Sequence, residues 1–122
     1  MSSPLGVGVF FAAQMQNINL KDSSEEIMRN LVTSQQPLIE KIYLLQDKFG
    51  ETFINAATDV TGYGFIGHLK EMIDSSNLLR KDNKLKPIRV LVDLFAFRAS
   101  PWVFDLIHKG IKSSLFESNK EI

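Results

Sequence analysis

Three glycines lie within the run "VTGYGFIG", which extends from Val60 to Gly67, and this run limits what the chain can fold into more than any other feature. The stretch before it, "TFINAATDV", favours a strand, and the stretch after it, "FIGHLKEMIDSS", places apolar residues at helical spacing. Glycine allows positive backbone φ angles and a close approach to a neighbouring group. The sequence therefore predicts a strand, a tight glycine turn and a helix in direct succession.

The glycine spacing matches that of a dinucleotide-binding turn, but two acidic residues argue against that interpretation. The ribose-binding acid is expected about 20 residues after such a turn, whereas Asp93 follows Gly62 by about thirty. Asp59 directly precedes the run, and two anions ~4 Å apart repel by about 4 kcal/mol at an effective dielectric of about 20. Because a divalent cation would reverse that repulsion, the run favours a carboxylate that holds Mg²⁺ beside a phosphate.

A purely structural interpretation of the same residues stays open. Asp before a turn is often only a turn or capping residue, and glycines often do no more than permit the turn. His68 could reach a phosphate at the helix start or form a structural hydrogen bond, and Tyr63 could stack on a base or pack on the surface. Both interpretations lead to the same local fold.

The rest of the chain predicts an α+β domain. Strands are predicted around Gly8–Ala12, in "TFINAATDV" and in "IRVLVDLF". Helices are predicted from the acidic start Asp22–Glu26, over "PLIEKIYLLQDKF" before Gly50, after the glycine turn, and over "PWVFDLIHK" after Ser100. The polar segments "NLLRKDNKLKP" and "KSSLFESNKEI" predict loops. We expect a small mixed β-sheet with packed helices, and the strands are few for a complete sheet.

Composition excludes several classes of function. The 122 residues carry 14 basic and 14 acidic side chains, so no net field would attract nucleic acid or an anionic membrane. The longest apolar runs are too short to span a bilayer, and we expect no signal peptide. The absence of cysteine excludes a disulfide framework, a thiolate metal site and a cysteine nucleophile within this chain. It also fits a reducing compartment, so a cytoplasmic location is expected.

Three stretches of the chain resemble selenide, water dikinase, also called selenophosphate synthetase. "AATDVTGYGFIGHLKEM" is similar to the family's Thr-Asp-Val-Thr-Gly signature with its aromatic residue, Gly, apolar pair and Gly-His-Leu. "PLGVGVFFAAQM" is similar to the segment that opens the family's second domain, and "GIKSSLFESN" to a Gly-Ile-x-Ser-x-Leu run that ends in Asn. The three matches follow the family's order. The family belongs to a wider group of two-domain, ATP-using enzymes that resemble aminoimidazole ribonucleotide synthetase.

The resemblance implies an enzyme that makes selenophosphate from selenide, ATP and water, with AMP and phosphate as co-products. It implies that Asp59 helps to hold Mg²⁺ at the ATP phosphates, while Thr58, Thr61, Gly62 and Gly64 shape the phosphate-facing turn. The family's nucleophilic Cys or selenocysteine and its partner Lys lie in an N-terminal domain that is missing here. Residues 1–122 are therefore expected to be a single partial domain without a catalytic residue, inactive alone.

Departures from the family leave two alternatives open. The family's Asp-Pro-Gln-Thr-Ser-Gly-Gly segment is missing, and Ser3 replaces the basic residue usual before Pro-Leu-Gly. The chain could instead come from another ATP-using enzyme of the wider group, or be a non-enzymatic nucleotide-binding or assembly module. An incomplete sheet would expose a strand edge, and because such edges pair, a homodimer through that edge is expected.

Overall fold

A computed structural model describes residues 4–50, 52 and 54–122 of the protein. They form α1 (Val7–Met15), α2 (Lys21–Val32), α3 (Gln36–Phe49), α4 (Gly64–Asp82), a 3-10 turn (Leu94–Ala96), α5 (Pro101–His108) and α6 (Phe116–Asn119). Within these residues β-pairing consists of one isolated parallel bridge between Leu5 and Ala99. The predicted mixed β-sheet is therefore not confirmed, and the described fold is mostly helical.

Helices α1 and α5 pack against each other and form the core. Leu5 N donates to Arg98 O at 2.8 Å and Ser100 N donates to Leu5 O at 3.3 Å, so both helices start from the same bridge. Phe10 is 1% exposed and meets the Trp102 ring edge to face at 5.8 Å. The central buried cluster comprises Ala12, Ala13, Leu106 and Ile111.

The strand predicted around Gly8–Ala12 is wrong, because these residues lie inside α1. Val and Phe favour strands, but the backbone groups of a strand need a neighbouring strand for their hydrogen bonds. A helix satisfies its backbone groups within itself, and α1 still buries Phe10, Ala12 and Ala13. Burial against α5 thus outweighs the local preference for a strand.

The two other predicted strands also have no partner strand among the residues that the structure describes. "TFINAATDV" includes Phe53, which lies outside the described residues, and the described residues around it are irregular. Residues 85–93 contain no turn or bend and lead into the 3-10 turn. Without a neighbouring strand in the described part of the chain, this straight segment stays on the surface, where Leu91 is 98% exposed.

The predicted helices are confirmed, and two of the predicted loops are partly wrong. α3 ends at Gly50, whose φ of 65° is left-handed, and α5 has Pro in its first turn directly after Ser100. The connector predicted from Asn77 instead continues α4 to Asp82, and the tail contains α6. In the described part of the chain, every helix is too short or too polar to cross a bilayer.

Candidate functional site

The glycine turn lines a groove of about 530 Å³. Residues 4–9 at the start of α1 form a second part of the lining, and the segment that leads into α6 forms a third. The three stretches that resemble the dikinase family therefore meet in one place. The turn contributes Thr61, Gly62 and Gly64 to the lining of the groove, and the last segment contributes Ser113, Ser114 and Asn119.

Glycine is favoured at two positions of the turn for different reasons. Gly64 has a φ of +71°, a left-handed conformation that side chains disfavour, and its N–H donates to Thr61 O at 2.9 Å. A Cβ at Gly62 would lie 2.5 Å from Leu115 Cδ1, so the end of the Leu115 side chain would have to move to admit it. The turn therefore depends on its own backbone geometry and on the segment packed against it.

Asn119 connects that segment to the turn. Its Nδ2 donates to Gly62 O at 2.9 Å, across 57 residues of sequence. Its Oδ1 is buried and has no hydrogen-bond partner among the described residues. Sequence reasoning assigned Asn119 no role at the site, although the family-like run "GIKSSLFESN" ends at this residue and offered the signal.

The hydroxyl of Thr61 is held by the first turns of α4. Thr61 Oγ1 and His68 Nε2 are 2.9 Å apart, and His68 Nδ1 lies 3.9 Å from Glu71 Oε2. His68 thus makes a hydrogen bond within the turn, which is one of the two roles that the sequence left open for it. Tyr63 is 63% exposed and meets the His68 ring edge to face, with ring centroids 5.9 Å apart, as a surface-packed residue does.

Thr58 and Asp59 lie on a second, smaller groove of about 310 Å³, which also contains Ser100 and Trp102. Val60 and residues at the start of α1 line both grooves, so the two are neighbours. Asp59 is exposed, and Thr58 Oγ1 donates to Asp59 O at 3.3 Å. The structure thus brings Thr61 and the glycines together and places Thr58 and Asp59 on the adjoining side.

The residues on these grooves fit a metal ion that is coordinated mostly by the phosphates of a bound nucleotide and by water. The described residues contain no group of three or more His, Asp and Glu side chains that could hold a metal ion. Asp59 offers one exposed carboxylate. Mg²⁺ is commonly bound through one or two carboxylates together with substrate phosphates and water. The Asp59 carboxylate could therefore supply one ligand to a Mg²⁺ whose other ligands are phosphate oxygens and water.

Two lysines clamp the segment that carries Asn119. Lys112 Nζ and Lys120 Nζ each lie 3.0 Å from a different carboxylate oxygen of Glu117. The hydrogen bond from Lys112, and then that from Lys120, holds the pKa of the Glu117 carboxyl below its usual range. Both ammonium groups also sit over the Phe116 ring. These contacts all lie within the segment 112–120 and join its two ends across α6.

Comparison with protein families places the chain in a class. Residues 2–82 match the family described as AIR synthase related protein, C-terminal domain. This match covers most of the chain, including the glycine turn, and the chain belongs to that family.

Within that class, the chain is similar to curated proteins named selenide, water dikinase. The protein from Shewanella sp. strain ANA-3 is 34% identical over 83 residues, which are 68% of this chain and 22% of the relative. That from Carboxydothermus hydrogenoformans is 32% identical over 73 residues (60% and 19%), and that from Aeromonas hydrophila 31% over 96 residues (78% and 26%). The chain spans about a quarter of the length of these relatives or less. No solved structure matches the chain.

Proposed function

We propose that this chain is the phosphate-facing part of a selenide, water dikinase, which makes selenophosphate from selenide, ATP and water and releases AMP and phosphate. The observation that carries the proposal is the convergence of the three family-like stretches on one groove. The relatives named above support it, since their matched stretches include the glycine turn. The Asn119–Gly62 hydrogen bond joins the last of these stretches directly to the glycine turn, which indicates that they form one site.

In this proposal the residues of the chain orient the phosphates of ATP. Asp59 and Thr58 face the nucleotide from the smaller groove, and Asp59 supplies one ligand to Mg²⁺. The bound Mg²⁺ would neutralise charge on the phosphates. Gly64 lets the backbone approach closely because no side chain intervenes, and Thr61 presents a hydroxyl whose direction is set by His68.

The chain alone should not catalyse the reaction. Phosphoryl transfer depends on positioned metal ions and on a group that orients the nucleophile, and the described residues offer no metal cluster. The sequence also contains no cysteine to handle selenide. We expect no selenide-dependent formation of AMP from ATP by the isolated chain, and at most very weak binding of Mg²⁺–ATP.

A graft tests the proposal directly. Residues 2–82 would replace the matching segment of the Shewanella relative, and selenide-dependent AMP formation would be measured. The chimaera should be active, and Asp59→Asn in the graft should reduce turnover by at least about tenfold, as expected for loss of a metal ligand. Asp74→Asn is the matched control, because Asp74 is paired with Lys70 on the exposed surface of α4. A folded chimaera that is inactive, or one indifferent to Asp59→Asn, would disprove the assignment.

A second candidate is another ATP-using enzyme of the wider group. It is favoured by the family match, which concerns the C-terminal domain of AIR synthase related proteins in general. The same chimaera separates the two candidates. If the grafted segment supports ATP turnover that does not depend on selenide, the wider group becomes the better assignment.

A further inference from the structure

A hydroxyl, an imidazole and a carboxylate lie next to one another at the start of α4. Thr61 Oγ1 and His68 Nε2 are 2.9 Å apart, and the other ring nitrogen of His68, Nδ1, lies 3.9 Å from Glu71 Oε2. The His68 side chain is 11% exposed, so the ring is shielded from most of the solvent. A hydroxyl within hydrogen-bond reach of a base, which a third group orients, is the arrangement that activates a nucleophile.

The carboxylate of Glu71 sets the direction of the hydrogen bond between Thr61 and His68. Its negative charge lies on the Nδ1 side of the ring and favours the ring proton on that nitrogen. Nε2 of the neutral ring then has a free lone pair and accepts the hydroxyl proton of Thr61. The ring is therefore in place to take this proton when Thr61 Oγ1 forms a new bond.

The backbone that follows Thr61 offers donors for the negative charge that develops when a carbonyl group is attacked. The N–H groups of Gly62 and Tyr63 make no hydrogen bond among the described residues. Gly64, with a φ of +71°, completes the sharp turn that leads into α4. In α/β-hydrolases the nucleophile also lies on a sharp turn before a helix, and the N–H of the next residue stabilises the oxyanion.

The groove that Thr61 lines indicates the kind of substrate. Its volume is about 530 Å³, and no residue that lines it carries a charge. Much of the lining is apolar and comprises Leu5, Val7, Val9, Leu31 and Leu115. Pockets of this size that are mostly apolar and contain a few polar groups typically bind small organic molecules. A neutral ester with a short apolar acyl chain fits this description.

We propose that Thr61 accepts acyl groups from such esters, with His68 as its general base. The proposal goes beyond the proposed function and does not depend on it. Thr61 Oγ1 attacks the carbonyl carbon, and His68 Nε2 takes the hydroxyl proton. The bond between the carbonyl carbon and the leaving oxygen then breaks, and this oxygen keeps the electron pair and receives the proton from His68. The products are O-acylated Thr61 and the free alcohol.

The full chain and p-nitrophenyl butyrate provide the first test. We expect a burst of p-nitrophenol equal to one molecule per chain, and peptide mass mapping should find the butyryl group on Thr61. p-Nitrophenyl acetate should acylate several-fold more slowly, because its shorter acyl chain buries less apolar surface. The absence of a burst, or butyryl groups spread over the lysines, would overturn the proposal.

Matched substitutions test the two residues separately. Thr61→Val, which keeps the shape of the side chain, should abolish the burst, whereas Thr61→Ser should retain it. His68→Gln should slow acylation about hundredfold, as expected for loss of a general base. Thr33→Val and His108→Gln are controls that should leave the rate unchanged. They remove a hydroxyl at the end of α2 and the only other histidine of the chain, and both side chains bond within their own helices.

The fold of each variant is checked by circular dichroism, and a burst that persists in folded Thr61→Val would overturn the assignment of the nucleophile. Nitrogen NMR of the wild type provides a test that needs no variant. The neutral His68 ring should carry its proton on Nδ1, and a proton on Nε2 would overturn its role as the base. A negative result with the esters would leave the dikinase chimaera unaffected, because that assay contains no ester.

Discussion

At the scale of single residues, Asn119 carries the contact that joins the end of the chain to the glycine turn. Its amide donates to the Gly62 carbonyl, while its Oδ1 is buried without a partner among the described residues. A buried polar atom that makes no hydrogen bond costs free energy, so the gain from one amide atom is partly offset by the other. Asn119 therefore contributes to the stability of this contact mainly through its amide donor.

Asn119→Ala should therefore destabilise the fold by about 1 kcal/mol, the usual net value of one hydrogen bond. Asn119→Asp should cost more at neutral pH, because a carboxylate cannot donate and would face the Gly62 carbonyl. Its cost should shrink as the pH falls towards about 4, because the folded state favours the protonated acid, which regains a donor. Chemical denaturation across pH measures this, with the exposed Ser118→Ala as the control. If the Ala and Asp variants were equally stable at neutral pH, the hydrogen bond would not matter.

The sequence indicated which residues form the turn, but it did not indicate which of them share a groove in the folded chain. The local pattern led to the prediction of Asp59, Gly62 and Gly64, because a tight turn and a charge beside it depend on a few neighbouring positions, whereas Thr61 was predicted from the family resemblance. It did not predict that Asp59 and Thr61 line different grooves, since that depends on where residues 4–9 and α2 pack. Asn119 was missed for the same reason: its partner is 57 residues away.

At the scale of elements, the glycine turn and the segment before α6 form one unit. Gly62→Ala should be destabilising because the new Cβ would lie 2.5 Å from Leu115 Cδ1. Gly64→Ala should cost about 1–2 kcal/mol through its left-handed backbone alone, since its Cβ would meet Asn119 Nδ2 at an ordinary 3.5 Å. Adding Leu115→Ala should recover much of the Gly62→Ala loss and none of the Gly64→Ala loss. A double-mutant cycle by denaturation measures both couplings, and equal recovery in the two cycles would contradict this account.

Helices were predicted more reliably than strands because their signals are local. α3 and α5 carry their own start and stop residues, such as Pro101 and Gly50. A strand is stabilised by pairing with a segment elsewhere in the chain, and "IRVLVDLF" has no such segment within the described residues. The same apolar alternation that suggested a strand thus remains as an open edge, while at Val7–Met15 burial against α5 produces a helix instead.

At the scale of the whole molecule, the core is small, and α3 contributes no buried residue to it. Its fully buried large side chains are Phe10, Ile27 and Leu106, whereas α3 buries none of its residues within the described structure. Many apolar side chains on α3 and on residues 85–97 remain exposed. Stability must then depend on the α1–α5 contact far more than on the number of helices, because burial of apolar surface is the main favourable term in folding.

Phe10→Ala should consequently destabilise the entire fold. The cost of removing a buried Phe is about 3–5 kcal/mol, a large part of the roughly 5–15 kcal/mol that holds a typical domain together. Phe11→Ala is the matched control, since the substitution changes helix propensity equally in the same helix, yet Phe11 is 43% exposed. Its loss should be less than half as large. Denaturation followed by circular dichroism at low protein concentration separates the two, and comparable losses would mean that the α1–α5 contact is not what holds the molecule together.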